Sequence, residues 1–206
     1  LGGAAYAVEL AMVSGMRRRG AFVAVPVCVV ATLVSWLHSH GRPTFEVASP
    51  GLSSGTVLGL VLLVPVTAVL GVGARRLWLW MLAHRVRVLR WLPVAIGAAG
   101  LVTGLASLWV PAIVGNGRDA MEMALGTGLP GASNRAAGAG LVLLVGIVAL
   151  KPVLTGLTLA AGATGGRLAP SLAAGSSAGA ALAIALHACG VQASVAVLAL
   201  AGAGAV

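Results

Sequence analysis

The feature that most constrains this chain is a series of apolar runs long enough, or nearly long enough, to cross a lipid bilayer. The clearest run extends from Val57 to Gly73 and contains no charged residue. A transmembrane helix needs about 20 predominantly apolar residues. Only 8% of the 206 residues are charged and 59% are hydrophobic, whereas a soluble domain carries about a quarter charged residues. The sequence therefore predicts an all-α, polytopic integral membrane protein.

The apolar runs predict the order of the helices. A first helix covers Leu1 to Ser14 and carries one acid, Glu9. The expected spans are Ala21 to Leu37, Val57 to Gly73 with a helical continuation through Trp78, Trp91 to Val110, Ala137 to Ala161, and Pro170 to Ala188, with a further helix from Ser194. Pro111 to Ala136 is expected to be an external segment with a short helix around Arg118 to Leu125. Because the chain begins and stops inside apolar runs, we interpret it as an internal piece of a longer protein.

The basic residues predict how these spans are oriented. The net charge of +9 would indicate nucleic-acid binding in a soluble protein, but here the arginines cluster between apolar runs, at 17–19 and 75–90. Two spans separate the clusters, so both lie on the same side of the membrane. Positively charged loops favour the cytoplasmic side. This reasoning places the 38–56 loop outside the cell.

A glycine-rich break interrupts the apolar pattern at Thr164 to Pro170. Gly165 and Gly166 allow a positive φ or a close approach of the backbone to a ligand. Pro170 is expected at the start of the next helix, where its missing N–H has no intrahelical partner. A helix N-terminus carries unpaired amides and about half a positive charge, which suits an anion. The alternative interpretation is a tight turn between two membrane helices.

Several motifs resemble those of the CLC family of voltage-gated chloride channels and chloride–proton exchangers. Gly166-Arg167-Leu168-Ala169-Pro170 looks like the family's G-x-F-x-P anion-filter motif, and Ala161 to Gly166 is similar to the glycine-rich pattern that precedes it. Three further resemblances occur in the expected order: Leu1 to Glu9, Val114 to Gly117, and Lys151-Pro152. Together they cover essentially the whole chain.

The resemblance implies a fold of two inverted repeats with broken and re-entrant helices. It implies a homodimer with one anion pathway in each subunit. Residues 1–40 would end the first repeat and residues 54–206 would form most of the second. Helices at about 1–14 and 21–37 would contribute to the dimer interface. The family's other filter elements, including its gating glutamate, would lie outside this chain, which would be a multi-pass protein of a bacterial plasma membrane.

The resemblance also assigns an anion site to Gly165, Gly166, Arg167, Leu168, Ala169 and Pro170. Backbone amides of Arg167 and Leu168 would bind the transported chloride, and no cofactor, metal or covalent chemistry is implied. Two residues depart from the family motif: Leu168 replaces a phenylalanine and Arg167 replaces an apolar residue. The Arg167 guanidinium would either strengthen anion attraction or extend to the cytoplasmic interface.

Glu9 is the acid that bears on the choice between channel and exchanger. An acid within a membrane helix indicates a functional site by default. Exchangers of the family have two successive acids here, the second of which accepts protons, but Leu10 occupies that second position. Glu9 is therefore either part of a proton pathway or a structural acid paired with Arg17–Arg19. The pattern predicts weakened or lost proton coupling.

Functions of other classes receive less support. Gly175 to Gly179 matches the G-x-S-x-G motif of hydrolases, with His187 following. If both lie on one helix, ten residues separate them by about 15 Å, which is too far for a catalytic pair. Asp119 and Glu122 either line an external vestibule or form a solvated helix face. A carrier for fluoride or nitrate, or a membrane scaffold that transports nothing, remains an alternative to chloride transport.

Overall fold

The computed structural model describes the chain in two compact units, Leu1–Glu46 and Val47–Val206. The described residues are 26–27, 29–34, 36–37, 53–86, 88–126, 134–163 and 166–206. In the first unit, the described residues are helical and lie within the span predicted from Ala21 to Leu37. Glu9, Leu10 and Arg17–Arg19 lie outside the described residues.

The second unit is helical throughout its described elements. In chain order these are α1 (Ser54–Ala83), a 3₁₀-helix (Leu89–Trp91), α2 (Leu92–Ser107), a second 3₁₀-helix (Pro111–Ile113), α3 (Arg118–Gly126), α4 (Asn134–Ala160), α5 (Leu168–Ala188) and α6 (Val195–Ala205). Three stretches are long and apolar enough to cross a membrane: α1, Gly138–Ala160 of α4, and α5. The prediction of an all-α polytopic membrane protein is confirmed.

α2 is shorter than the span predicted for Trp91 to Val110. It has 16 residues, about 24 Å at ~1.5 Å per residue, whereas the hydrocarbon core is about 30 Å thick. The residue before a proline is disfavoured in the helical conformation, and Val110, before Pro111, has φ −130° and ψ 81°. The helix thus begins one residue later and ends three residues earlier than the predicted span, and Pro111 accounts for the non-helical conformation of Val110.

Two hydrogen bonds show which helix ends lie together. At one end, the Ser53 hydroxyl before α1 donates to the Gln192 carbonyl between α5 and α6, at 2.7 Å. At the other end, Val86 N–H, after α1, donates to the carbonyl of Ala160, the last residue of α4, at 2.9 Å. The start of α1 and the end of α5 therefore share one end of the unit, and the end of α1 and the end of α4 share the other.

α5 lies at the centre of the unit and packs closely against α6. A Cβ added to Gly179 would overlap the Leu198 carbonyl oxygen, and one added to Gly175 would overlap the Gly202 carbonyl oxygen. Small residues let membrane helices approach at backbone distance. The glycines of α5 are therefore required by its contact with α6.

Glycine also ends the helices on either side of the break. Gly162, just after α4, has φ 98°, and Gly190, just after α5, has φ 82°. After α4, Ala163 N–H donates to the Thr158 carbonyl at 3.1 Å, which is the hydrogen bond of a Schellman helix end. The sequence predicts either a positive φ or a close approach to a ligand at Gly165 and Gly166. Gly165 lies outside the described residues, and Gly166 has no positive φ, whereas Gly162 has one.

Candidate anion site

The N-terminus of α5 contains the residues expected to bind an anion. α5 begins at Leu168, after the N-cap residue Arg167. Pro170 is thus the third residue of the helix, and the prediction that the helix begins at Pro170 is wrong by two residues. A proline is tolerated at this position, because the first four N–H groups of a helix have no intrahelical acceptor. Gly165 lies outside the described residues.

The first amides of α5 differ from those of α1 and α6 in how they are capped. The Ser53 hydroxyl accepts a hydrogen bond from Thr56 N–H, and the Ser194 hydroxyl accepts one from Val197 N–H. Both bonds use the amide of the third helical residue. In α5 that residue is Pro170, which has no N–H. A side-chain cap of the same form is therefore impossible at α5.

The backbone conformation of the N-cap residue also differs between α5 and the two capped helices, α1 and α6. Ser53 and Ser194 are extended, with ψ of 162° and 113°. Arg167 has φ −97° and ψ −17°, and its side chain makes no capping hydrogen bond. The amides of Leu168 and Ala169 are consequently not capped by Arg167. This helix start leaves amides and the positive end of a helix dipole for a ligand.

The surroundings of the turn leave room for such a ligand. A Cβ placed on Gly166 would meet no atom of the described residues within 4 Å. Gly166, Arg167 and Leu168 are exposed, whereas Pro170 is buried. The start of α5 therefore lies at the surface of the described unit, and the helix becomes buried by its third residue.

A neighbouring cavity of about 270 Å³ has a different chemistry. It is bounded by Pro170 and Ser171 of α5, by Trp78 of α1 and by Pro152 of α4. The Ser171 hydroxyl donates to the Arg167 carbonyl at 2.9 Å, and Trp78 Nε1–H donates to the Pro152 carbonyl at 2.8 Å. These polar hydrogens already have acceptors, and the other lining residues are apolar. The cavity therefore does not suit an anion, unlike the start of α5.

Lys151 and the Val114 to Gly117 turn, which belong to separate motifs in the sequence, are in contact. Lys151 is 2% exposed, and its Nζ donates to the carbonyls of Ile113 at 2.6 Å and Gly115 at 2.8 Å. Lys151 lies in the middle of the candidate span Gly138–Ala160. The start of the segment expected to be external thus contacts a lysine in the middle of a candidate membrane span, and its external position stays a prediction.

The remaining candidate residues have other surroundings. In α3, Arg118 Nε donates to Glu122 Oε1 at 2.7 Å, and both side chains are about half exposed. The hydrogen bond and charge of Glu122 raise the pKa of Arg118 above its usual value. With Asp119 also exposed, these residues form a solvated helix face. The described part of the chain contains no group of three or more His, Cys, Asp or Glu side chains that could hold a metal ion.

The hydrolase motif has no catalytic geometry. Ser177 and His187 lie on the same uninterrupted helix, α5, so their separation follows the helical rise of ~1.5 Å per residue. Ser177 is 0% exposed, and its hydroxyl has no hydrogen-bond partner among the described residues. A substrate could not reach this hydroxyl without separating packed helices.

The fold and the uncapped start of α5 are typical of a polytopic membrane protein with an anion site at a helix N-terminus. A sequence model of the family described as voltage gated chloride channel matches residues 1–206, the whole chain. The chain belongs to this family, and the family resemblance inferred from the motifs is confirmed. Membership in this family supports chloride transport of the channel or exchanger type in general. No curated protein and no solved structure matches the chain.

Proposed function

We propose that this protein transports chloride across a membrane through a site at the N-terminus of α5. The observation that carries the proposal is the start of this helix: Pro170 removes the amide that Ser53 and Ser194 use as cap donors at α1 and α6. The amides of Leu168 and Ala169 are available to chloride, and Gly166 leaves space beside them. Family membership supports the choice of chloride.

The physical mechanism is replacement of part of the water shell of chloride by fixed backbone donors. The partial positive charge at the N-terminus of α5 attracts the anion without fixing it as strongly as a full charge would. Binding must be strong enough for entry and weak enough for release. The exposed Arg167 side chain adds a long-range attraction for anions approaching this end of the helix.

The finer features of the proposal follow from the family resemblance. Two copies form a homodimer through helices at about 1–14 and 21–37, and each copy has its own pathway. Residues 1–40 end one inverted repeat and residues 54–206 form most of the other. The 75–90 connection is cytoplasmic. Since Leu10 replaces the second acid after Glu9, transport is uncoupled from protons.

The proposal is tested by chloride efflux from liposomes containing the full-length protein, with Gly166→Ala as the first variant. Because the added methyl group meets no described atom within 4 Å, it costs no packing. It does reduce the open space at the turn that precedes α5. We expect chloride flux to fall by roughly tenfold or more, which corresponds to a loss of ~1.4 kcal/mol in binding. Gly166→Pro, which also removes an amide, should abolish flux.

Gly104→Ala is the matched control, because its added methyl group also meets no atom within 4 Å but lies in α2. It should transport chloride as the unsubstituted protein does. Flux in a correctly folded Gly166→Ala protein equal to that of the control would refute the site. Absence of any chloride flux in the unsubstituted protein would refute the function itself.

The same vesicles test proton coupling. With potassium and valinomycin present to carry the compensating charge, we expect chloride efflux to proceed without proton movement and at the same initial rate whether or not a proton ionophore is added. Proton uptake that follows the chloride gradient would show an exchanger and contradict the role inferred from Leu10. Comparing chloride with fluoride and nitrate distinguishes a chloride protein from a carrier for the other two anions.

A further inference from the structure

Lys151 is a buried cation, and its contacts indicate a role different from that of a solvated or ion-paired side chain. It is 2% exposed and lies within a candidate membrane span. A charged side chain at such a depth is costly and usually functional. Its two described acceptors are the backbone carbonyls of Ile113 and Gly115, at 2.6 and 2.8 Å. The charge thus holds a turn of the backbone in place.

That turn is wedged between Lys151 and the beginning of α5. A Cβ on Gly117 would lie 2.6 Å from the Ala173 Cβ, 3.2 Å from the Ala169 carbonyl oxygen and 3.7 Å from the Lys151 Cε. Ala169 is the second residue of α5, and Ala173 lies one turn further along. The backbone of the turn therefore touches the helix next to the amides that we assign to chloride.

The backbone conformation of the 113–117 turn is also tightly constrained, so a displacement of one side of the turn would move the other side. Gly115 and Gly117 have φ of 74° and 97°, values that other residues adopt only with strain. Ile113 is 1% exposed and belongs to a buried cluster that includes Ala173. A turn with two positive φ values, a buried anchor and a double hydrogen bond has little freedom to shift. Removing the hydrogen bonds would release it.

From these contacts we infer that Lys151 is a positioning residue for the anion site: through the 113–117 turn it fixes the first two turns of α5 and hence the direction of its first amides. The inference rests on the proposed function. It differs from direct attraction of the anion by the lysine charge, because it requires the intervening contact between Gly117 and α5.

The experiment measures the ratio of initial chloride to nitrate efflux rates for the full-length protein in liposomes. The variants are Lys151→Met, which removes the two hydrogen bonds, Gly117→Ala, which leaves the lysine charge and crowds Ala173, and the two combined. We expect each single substitution to lower the ratio by at least about threefold, the size typical of coupling through a shared element. The combined variant should lower the ratio no further than the larger single effect, because both act on one turn.

Gly97→Ala is the control, because it lies in α2, outside the 113–117 turn, and its added methyl group meets no described atom within 4 Å. It should keep the ratio of the unsubstituted protein. Size-exclusion profiles establish which variants are folded before their ratios are compared.

Two results would overturn the inference. If Gly117→Ala keeps the original ratio while Lys151→Met lowers it, the lysine acts by charge and not through the turn. If the two single effects multiply in the combined variant, the residues act independently. Should Lys151→Met fail to fold, Gly117→Ala decides the question alone, because a lowered ratio supports positioning and an unchanged ratio refutes it. A chloride-transporting protein with an unchanged ratio refutes only this inference, whereas absence of chloride flux refutes the proposed function as well.

Discussion

α5 and α6 are packed against each other through glycines, yet the two helices begin in opposite ways. Before α6, Ser194 is extended and its hydroxyl accepts from Val197 N–H. Before α5, Arg167 is not extended and makes no side-chain cap, and Pro170 removes the amide that such a cap would use. The start of α6 is thus capped by the side chain of Ser194, whereas the start of α5 has no side-chain cap. Under the proposed function, the anion site of α5 arises because a common stabilising interaction is left out.

The largest expected effect, on the free energy of unfolding, comes from disrupting the packing of α5 against α6. Gly179→Ala adds a methyl group that overlaps the Leu198 carbonyl oxygen, and because this atom belongs to the backbone it cannot turn aside. We expect a loss of about 3 kcal/mol in the free energy of unfolding, measured by thermal unfolding in detergent. Gly204→Ala on α6 meets no atom within 4 Å and should unfold as the unsubstituted protein does. Equal stability of both variants would show that the close contact is not required.

The second prediction concerns a substitution that adds a side-chain cap to the start of α5. Arg167→Ser together with Pro170→Ala supplies both a hydroxyl and the missing third amide, so that residue 167 can adopt the extended capping conformation of Ser194. The new cap is worth about 1 kcal/mol, and it holds residue 167 in an extended conformation with its hydroxyl over the start of α5, where the anion would otherwise lie. We expect the apparent chloride affinity to fall about fivefold, the factor that such an energy produces, in concentration-dependent flux measurements.

The single substitutions are the controls for this prediction. Arg167→Ser provides the hydroxyl without the amide, and Pro170→Ala provides the amide without the hydroxyl. Neither alone should reproduce the combined loss of affinity. If the combined loss of chloride affinity equals the product of the two single losses, no cap has formed. The absence of a cap at α5 then does not explain anion binding.

The smallest expected effect comes from removing the side-chain cap at the start of α6. Ser194→Ala removes the acceptor for Val197 N–H but leaves the hydrogen bond from Ser194 N–H to the Thr56 hydroxyl, at 3.0 Å. Loss of an N-cap costs about 1 kcal/mol, which thermal unfolding would detect. Chloride flux at a temperature where the variant is folded should not change. A changed chloride-to-nitrate ratio would mean that the start of α6 also contributes to the pathway.

The sequence predicted the elements whose causes are local. Long apolar runs located α1, α4 and α5, because the thickness of the bilayer sets the length of a span. The short helix expected around Arg118 to Leu125 is α3, and Ser194 was correctly expected at the start of the last helix. The anion-filter motif also indicated which helix start to inspect, although its role in binding stays a prediction.

Contacts between distant residues could not be predicted in this way. Nothing in the sequence around Lys151 shows that its ammonium group reaches Ile113, 38 residues earlier. The chain also offers several glycines near the break, and only the structure distinguishes Gly162, which ends α4 with a positive φ, from Gly166. Gly117 carried a sequence signal, its place in the Val114 to Gly117 motif, but its contact with α5 depends on tertiary packing.

The contact between Lys151 and the 113–117 turn has a consequence for biosynthesis. Residues 111–117 leave the ribosome before α4, so during that interval the carbonyls of Ile113 and Gly115 lack the lysine that binds them in the folded protein. Exposed backbone carbonyls are not tolerated in the hydrocarbon region. We therefore expect the turn to stay near water until α4 is inserted and to enter the membrane together with that helix.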